Sequence, residues 1–135
     1  FTPLREDIFI AAEPLVTNVF RNILSNAVRH QRQAKKVVEV VVARGDKGKT
    51  VMVSISDHGP GILESMKKSL LERRTKTREM RLTGIGLALV KELVERYHGT
   101  VDIRDRVNGD PTQGARFVVT FPVYRCDVKK DSLGR

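Results

Sequence analysis

Apolar residues recur at i, i+4 spacing in two stretches of the chain, residues 14–30 and residues 85–97. In each stretch the apolar rows alternate with polar or charged positions, which is typical of an amphipathic helix. The first stretch carries two adjacent apolar rows, Leu15-Val19-Ile23-Ala27 and Val16-Phe20-Leu24-Val28. The pattern therefore predicts two helices, each of which buries one face.

Period-2 alternation predicts four strands, arranged as two hairpins. The first hairpin joins residues 37–43 to residues 51–56, and the second joins residues 101–103 to residues 117–121. The apolar run at residues 8–10 adds a further edge strand. Helices and mostly antiparallel strands in this order predict an α+β fold, a two-layer α/β sandwich with a mixed, mostly antiparallel sheet and helices on one face.

The length and composition fit a single domain spanning residues 1–135. The chain has 135 residues, 40% of them hydrophobic, and a single cysteine. One cysteine cannot form an internal disulfide, which fits a reducing compartment such as the cytoplasm. The chain begins with Phe1 and has no leader-like segment, so we expect a fragment of a longer protein whose membrane anchoring the sequence leaves open.

The positive charge of the chain is concentrated in one segment. The formal net charge is +9, from 25 Lys+Arg and 16 Asp+Glu. Residues 67–81 contain seven Lys or Arg and two Glu, a local excess of +5. Taken alone, such a run is most often a solvated helix or loop. It could also contact nucleic acid, but five Phe, two Tyr and no Trp leave few rings for base stacking.

Three further features point to a nucleotide site. Asn26 and Asn22 lie one helical turn apart and offer amide oxygens, which are ligands suited to Mg²⁺. Asp57 falls on the inward face of its strand and can accept a hydrogen bond from an exocyclic amine. Gly84 and Gly86 precede a helix whose first N–H groups could bind phosphate. Each feature alone is equally compatible with ordinary turns and helix faces, but their order favours a common site.

The sequence resembles the catalytic ATP-binding domains of sensor histidine kinases, in the superfamily of gyrase, the heat-shock-90 chaperones and MutL. Residues 20–30 look like the family's N box, Asp57 to Ile62 like its G1 box and Thr83 to Val90 like its G2 box. This resemblance implies the Bergerat sandwich fold, with ATP between the N-box helix and a flexible lid at residues 64–83. The family's F box is not well matched, because the corresponding stretch lacks phenylalanine.

The resemblance also implies roles for individual residues. Asn26 would hold Mg²⁺, and Asn22 would assist it. Arg29 and Lys76 would contact phosphate, and Asp57 would bind the adenine amine. His30 stands where the family often has an aromatic ring near adenine. The complete set of ATP-binding positions implied by the resemblance is Asn22, Asn26, Arg29, His30, Asp57, Gly59, Gly61, Ile62, Lys76, Thr83, Gly84, Ile85, Gly86 and Leu87.

One position indicates the type of reaction. Hydrolytic relatives carry a glutamate four residues before the magnesium asparagine, whereas this chain has Asn22. An amide cannot take a proton from water, so transfer of the γ-phosphoryl group is favoured over hydrolysis. The resemblance implies that the acceptor is a histidine on a separate dimerisation domain of a homodimeric parent, with a response regulator downstream. None of His30, His58 and His98 lies in an acceptor-like segment.

Two other functions remain compatible with the sequence. One is a serine kinase of the anti-sigma-factor type on the same fold, which would act directly on its target. The other is a nucleotide-binding switch that does not transfer phosphate, as the poorly matched F box allows. A histidine on a helical hairpin upstream of Phe1 would favour the histidine kinase.

Overall fold

The computed structural model describes Ile10, Ala12, residues 14–72 and residues 85–124. Lys76, Thr83 and Gly84, which the sequence assigns to the candidate site, lie outside these residues. The elements in chain order are α1 (Val16–Arg29), β1 (Val38–Gly45), a 3-10 turn (Asp46–Gly48), β2 (Thr50–Asp57), α2 (Glu64–Leu71), α3 (Ile85–Arg96), β3 (Thr100–Val107) and β4 (Asp110–Pro122).

The four strands form one sheet in the order β1-β2-β4-β3, and all three neighbouring pairs are antiparallel. Both predicted hairpins are confirmed, as β1–β2 and β3–β4. The pairing of β2 with β4 joins them and places Ile55 opposite Phe117 at the centre of the sheet. The edge strand predicted at residues 8–10 falls mostly outside the described part of the chain.

The hydrophobic core lies between one face of the sheet and the helices. Ile23 of α1, Val90 of α3, and Ile55 and Phe117 of the sheet are buried in one cluster. Full burial of a side chain of this size contributes about 1.5–3 kcal/mol relative to an exposed position. The predicted α+β class, with two layers and helices on one face, is therefore confirmed.

Helix α1 buries a narrower face than the sequence pattern predicts. Val19, Ile23 and Ala27 are buried, as expected for the first apolar row. Leu24 and Val28 in the adjacent row remain exposed, because the sheet and α3 cover only one side of the helix. None of the helices in the described part of the chain is long and apolar enough to cross a membrane.

Candidate nucleotide-binding site

A cavity of about 210 Å³ opens where the end of α1, the loop after β2, α2 and the first turn of α3 meet. It contains six of the residues that the sequence assigns to the site: Asn26, His30, Asp57, Gly61, Ile62 and Leu87. The remaining lining residues are Pro60, Leu63, Met66, Leu70 and Ala115. The fold thus brings parts of all three sequence motifs to one cavity.

Asp57 is the charged group most firmly fixed at this cavity. It ends β2 and is only 5% exposed, on the same face as Ile55, as the strand alternation predicts. Its Oδ1 accepts hydrogen bonds from the backbone N–H of Gly59 at 2.9 Å and of Ala115 at 3.2 Å. Two backbone donors on one oxygen hold the carboxylate in a defined orientation.

Two glycines allow the chain to pack tightly around Asp57. Gly61 and Gly114 both have positive φ angles, of 75° and 96°. A Cβ atom on Gly61 would lie 1.8 Å from the carbonyl oxygen of Pro111, and one on Gly114 would lie 2.0 Å from that of Asp57. Only glycine fits at such distances. The loop after β2 is therefore packed directly against the start of β4.

A second part of the cavity wall comes from α1. Asn26 and His30 lie one turn apart on the same side of the helix, and His30 Nε2 donates a hydrogen bond to Asn26 Oδ1 at 2.8 Å. This bond fixes the amide oxygen that the sequence assigns to a metal ion. Helix α1 therefore supplies both polar groups of this wall.

Other predicted site residues do not line the cavity. Asn22 is half-buried one turn before Asn26 on α1. Arg29 is exposed in the last turn of α1 and lines a shallow groove with Phe20 and Leu24 instead. Gly59 belongs to the loop after Asp57. The backbone of Ile85 and Gly86 forms the start of α3, and the cavity is reached there by Leu87.

The wall formed by α2 was not predicted from the sequence. The first part of the predicted lid, residues 64–71, is this helix. Met66 and Leu70, four residues apart, both line the cavity. Their i, i+4 spacing was a signal for a helix, but the charge of the segment obscured it. Ala115 was also missed, since only the pairing of distant strands brings it to Asp57.

Helix α2 is held to β3 by an ion pair. Lys67 is only 8% exposed, and its Nζ lies 2.6 Å from Asp105 Oδ1 and 2.6 Å from Glu64 Oε2. The hydrogen bond to Asp105, followed by that to Glu64, raises the pKa of Lys67 above its usual value. Leu70, one turn further on, is buried in the core. The ion pair and this leucine set the position of the α2 wall.

The donor atoms at the cavity fit Mg²⁺ bound together with a phosphate ligand. Among the described residues there is no group of three or more His, Cys, Asp or Glu side chains that could hold a metal ion. Asn26, which lines the cavity, instead offers a neutral amide oxygen, which is a hard ligand, and Asn22 lies one helical turn before it. Mg²⁺ commonly binds through one or two protein groups, with water and substrate phosphates completing its coordination.

Comparison with known proteins identifies the family. Residues 11–125 match the family of histidine kinase-, DNA gyrase B- and HSP90-like ATPases. The match covers most of the chain, so the chain belongs to this family of ATPase domains. The resemblance inferred from the N, G1 and G2 boxes is therefore confirmed.

Individual relatives agree with this assignment. The chain is 30% identical over 118 residues to the adaptive-response sensory kinase SasA of Synechocystis sp., covering 85% of this chain and 29% of SasA. The nucleotide-free catalytic domain of the histidine kinase ThkA shares the fold, with a TM-score of 0.70, 22% identity and coverage of 87% of this chain and 73% of that one. Full-length ShkA in complex with AMPPNP has a TM-score of 0.58 at 25% identity, covering 78% of this chain and 22% of ShkA. The chain thus spans less than a third of the length of SasA and of ShkA.

Proposed function

We propose that this chain is the ATP-binding catalytic domain of a two-component sensor histidine kinase. It transfers the γ-phosphoryl group of ATP to a histidine on a separate dimerisation domain. The observation that carries this proposal is that Asp57, Asn26 and His30, from different sequence motifs, line one cavity. The ATP analogue AMPPNP held by the similar protein ShkA supports ATP as the ligand.

Asp57 accounts for the choice of base. Its carboxylate is buried and oriented by the Gly59 and Ala115 N–H groups, so it can accept a hydrogen bond from the exocyclic amine of adenine. The carbonyl oxygen of guanine at that position would face a negative charge without a donor between them. Burial makes such an unpaired contact costly, and ATP is therefore preferred to GTP.

Mg²⁺ would be held by Asn26, with Asn22 assisting and His30 fixing the Asn26 amide through its ring N–H. When bound, the ion neutralises part of the triphosphate charge. The backbone N–H groups from Thr83 to Leu87, including those of Gly84, Ile85 and Gly86, would bind the phosphates. Arg29 and Lys76 would contact the phosphates as positive charges, although Arg29 does not line the cavity.

The proposed reaction is transfer rather than hydrolysis. Asn22 stands where hydrolytic relatives of the histidine kinases carry a glutamate base, and an amide cannot activate water. The phosphoryl acceptor belongs to a dimerisation domain of the parent protein, which forms a homodimer and passes the group to a response regulator. The domain itself works in the cytoplasm, and no nucleic acid takes part.

Replacement of Asp57 tests nucleotide recognition. We expect Asp57→Ala to weaken ATP binding by about 1–3 kcal/mol, because the exocyclic amine of the bound adenine loses its hydrogen-bond acceptor. Asp57→Asn, which keeps an acceptor but loses the charge, should give a smaller loss. Calorimetry with ATP and GTP measures both, and Asp102→Ala on the exposed side of β3 serves as the matched control. Equal ATP affinity of Asp57→Ala and the unchanged protein would contradict the adenine assignment.

Replacement of Asn26 tests phosphoryl transfer. Asn26→Ala and Asn26→Asp should abolish transfer to a supplied helical-hairpin acceptor while circular dichroism stays unchanged. Ser25→Ala, an exposed neighbour on α1, should retain both activity and fold. Full transfer by Asn26→Ala during a magnesium titration would refute its role as a ligand. ATP binding without transfer by the unchanged protein would instead favour a nucleotide-binding switch, and transfer to serine would favour a serine kinase.

The lid is the third part of the proposal. Because α2, the first part of the lid at residues 64–83, is anchored by Leu70 and Lys67, we expect the nucleotide to act mainly on the basic stretch that follows, between about Glu72 and Gly84. ATP analogues with Mg²⁺ should slow amide hydrogen exchange there more than in α2. Neutralising Lys76 should weaken ATP binding more than ADP binding if its ammonium group reaches the γ-phosphate. Exchange that responds to duplex DNA but not to nucleotide would contradict the lid.

A further inference from the structure

One buried polar side chain near the cavity belongs to none of the sequence motifs. Gln31 directly follows the N box and is 2% exposed. Its Nε2 donates hydrogen bonds to the carbonyl oxygens of Ala27 at 2.9 Å and Val37 at 2.8 Å. Its Oε1 accepts from the N–H of Val37 at 2.9 Å and from Gln33 Nε2 at 2.8 Å. These bonds use both donor hydrogens and both acceptor positions of the amide.

The hydrogen bonds of Gln31 join α1 to the segment that precedes β1. Ala27 is next to Asn26 in the last turns of α1. Val37 immediately precedes β1, whose first residue, Val38, pairs with Asp57 at the end of β2. The Gln31 side chain thus links the helix that carries Asn26 to the strand pair that ends at Asp57.

A second contact reaches the loop after Asp57 directly. Gln33, which is hydrogen-bonded to Gln31, donates from Nε2 to the carbonyl oxygen of His58 at 3.2 Å. The neighbouring Gly59 is so close to the His30 backbone that a Cβ on it would lie 3.0 Å from the His30 carbonyl oxygen. The turn that contains Gln31 and the loop that orients Asp57 therefore pack against each other.

We propose that Gln31 is a positioning residue for the nucleotide site, setting the separation between the Asn26–His30 wall and the Asp57 wall. This inference rests on the proposed function. Asn26 and Asp57 lie on different elements, 31 positions apart in the sequence. A nucleotide that contacts both requires their separation to be fixed. An amide that makes four hydrogen bonds in a buried position fixes it without touching the ligand.

Gln31→Met tests the proposal because methionine is of similar length but makes none of these hydrogen bonds. We expect ATP affinity to fall by on the order of tenfold, as for loss of outer hydrogen bonds around metal ligands. The ratio of ATP to GTP affinity should also fall, since Asp57 no longer meets the base in one position. Both are measured by calorimetry at a temperature at which circular dichroism shows each variant to be folded.

Val118→Ala is the matched control, because Val118 is buried but does not belong to the core cluster. Its neighbours Phe117 and Val119 are in that cluster, so Val118 lies on the other face of the sheet. It should lower the melting temperature without changing the ATP to GTP ratio. A Gln31→Met protein with a lower melting temperature and an unchanged ratio would overturn the inference, since Gln31 would then be merely structural. If the unchanged protein binds no ATP, the proposed function fails and this inference fails with it.

Gln33→Ala provides the test if Gln31→Met does not fold. Gln33 is exposed, so its removal breaks the contacts to Gln31 and His58 with little loss of packing. A reduced ATP to GTP ratio supports the link between the two walls. An unchanged ratio in a folded Gln33→Ala protein overturns it. Arg32→Ala, at the exposed residue between Gln31 and Gln33, is the control for this variant.

Discussion

Helices α1 and α2 line the same cavity but are attached to the protein in different ways. Helix α1 has 14 residues and buries Val19, Ile23 and Ala27 against the sheet and α3. Helix α2 has eight residues, and Leu70 is its one fully buried apolar side chain. Its other buried side chain is Lys67, which is paired with Asp105 on β3.

Because the two helices are attached differently, we expect the parts of the cavity wall that they form to differ in stability. Burial of apolar surface has no preferred direction and depends little on salt, so α1 is a stable support for Asn26 and His30. A helix of eight residues is not stable alone. Helix α2 depends on Leu70, on the partly buried Leu71 and on an ion pair that high pH can weaken. We therefore expect the Met66 and Leu70 wall to respond to changes that leave the α1 wall in place.

The largest effect is expected from weakening the α1 support. Val19→Ala should lower the free energy of unfolding by about 1.5–3 kcal/mol, because it removes two fully buried methyl groups and leaves a cavity. Val28→Ala makes the same chemical change in the same helix at a side chain that is 45% exposed. It should change stability by no more than about 0.5 kcal/mol. Equal losses in urea denaturation would show that α1 is not held by one face.

A smaller loss is expected from breaking the attachment of α2. Lys67→Met should cost about 1–2 kcal/mol, because Asp105 is left with an unpaired, largely buried charge. Lys68→Met alters a neighbouring lysine that is 87% exposed and should be nearly neutral. In a double-mutant cycle, Asp105→Asn should remove most of the Lys67→Met effect. Additive losses in denaturant titrations would mean that the two residues do not depend on each other.

The smallest effect is a pH dependence of the attachment of α2. The ion pair raises the pKa of Lys67 above 10.5, its value in the unfolded chain. The folded protein therefore keeps the proton more tightly, and the pair contributes fully below pH 10.5 and is lost as pH rises above it. As the pH rises above 10.5, the unchanged protein should lose stability more steeply than Lys67→Met, whereas Lys68→Met should follow the unchanged protein. Parallel curves for all three would contradict the assignment.

Much of the fold and of the nucleotide site could be predicted from the sequence because the signals are local. Helical spacing located α1 and α3, alternation located both hairpins, and the same alternation placed Asp57 on the buried face of β2. Asn26 and His30 lie four residues apart, so a helix alone brings them together. Periodicity of this kind depends only on backbone geometry, which the residues of one segment determine.

Contacts between distant segments were decided only by the tertiary structure. The pairing of β2 with β4 brings the Ala115 N–H to Asp57, 58 residues away in the sequence. The Lys67–Asp105 pair joins residues 38 positions apart, and a run of basic residues gives no indication of which lysine will be buried. Val28 is as apolar as Val19 but stays exposed, because it lies on the side of α1 that the sheet and α3 do not cover. Sequence periodicity shows which face of a helix is apolar, whereas packing decides how much of that face is covered.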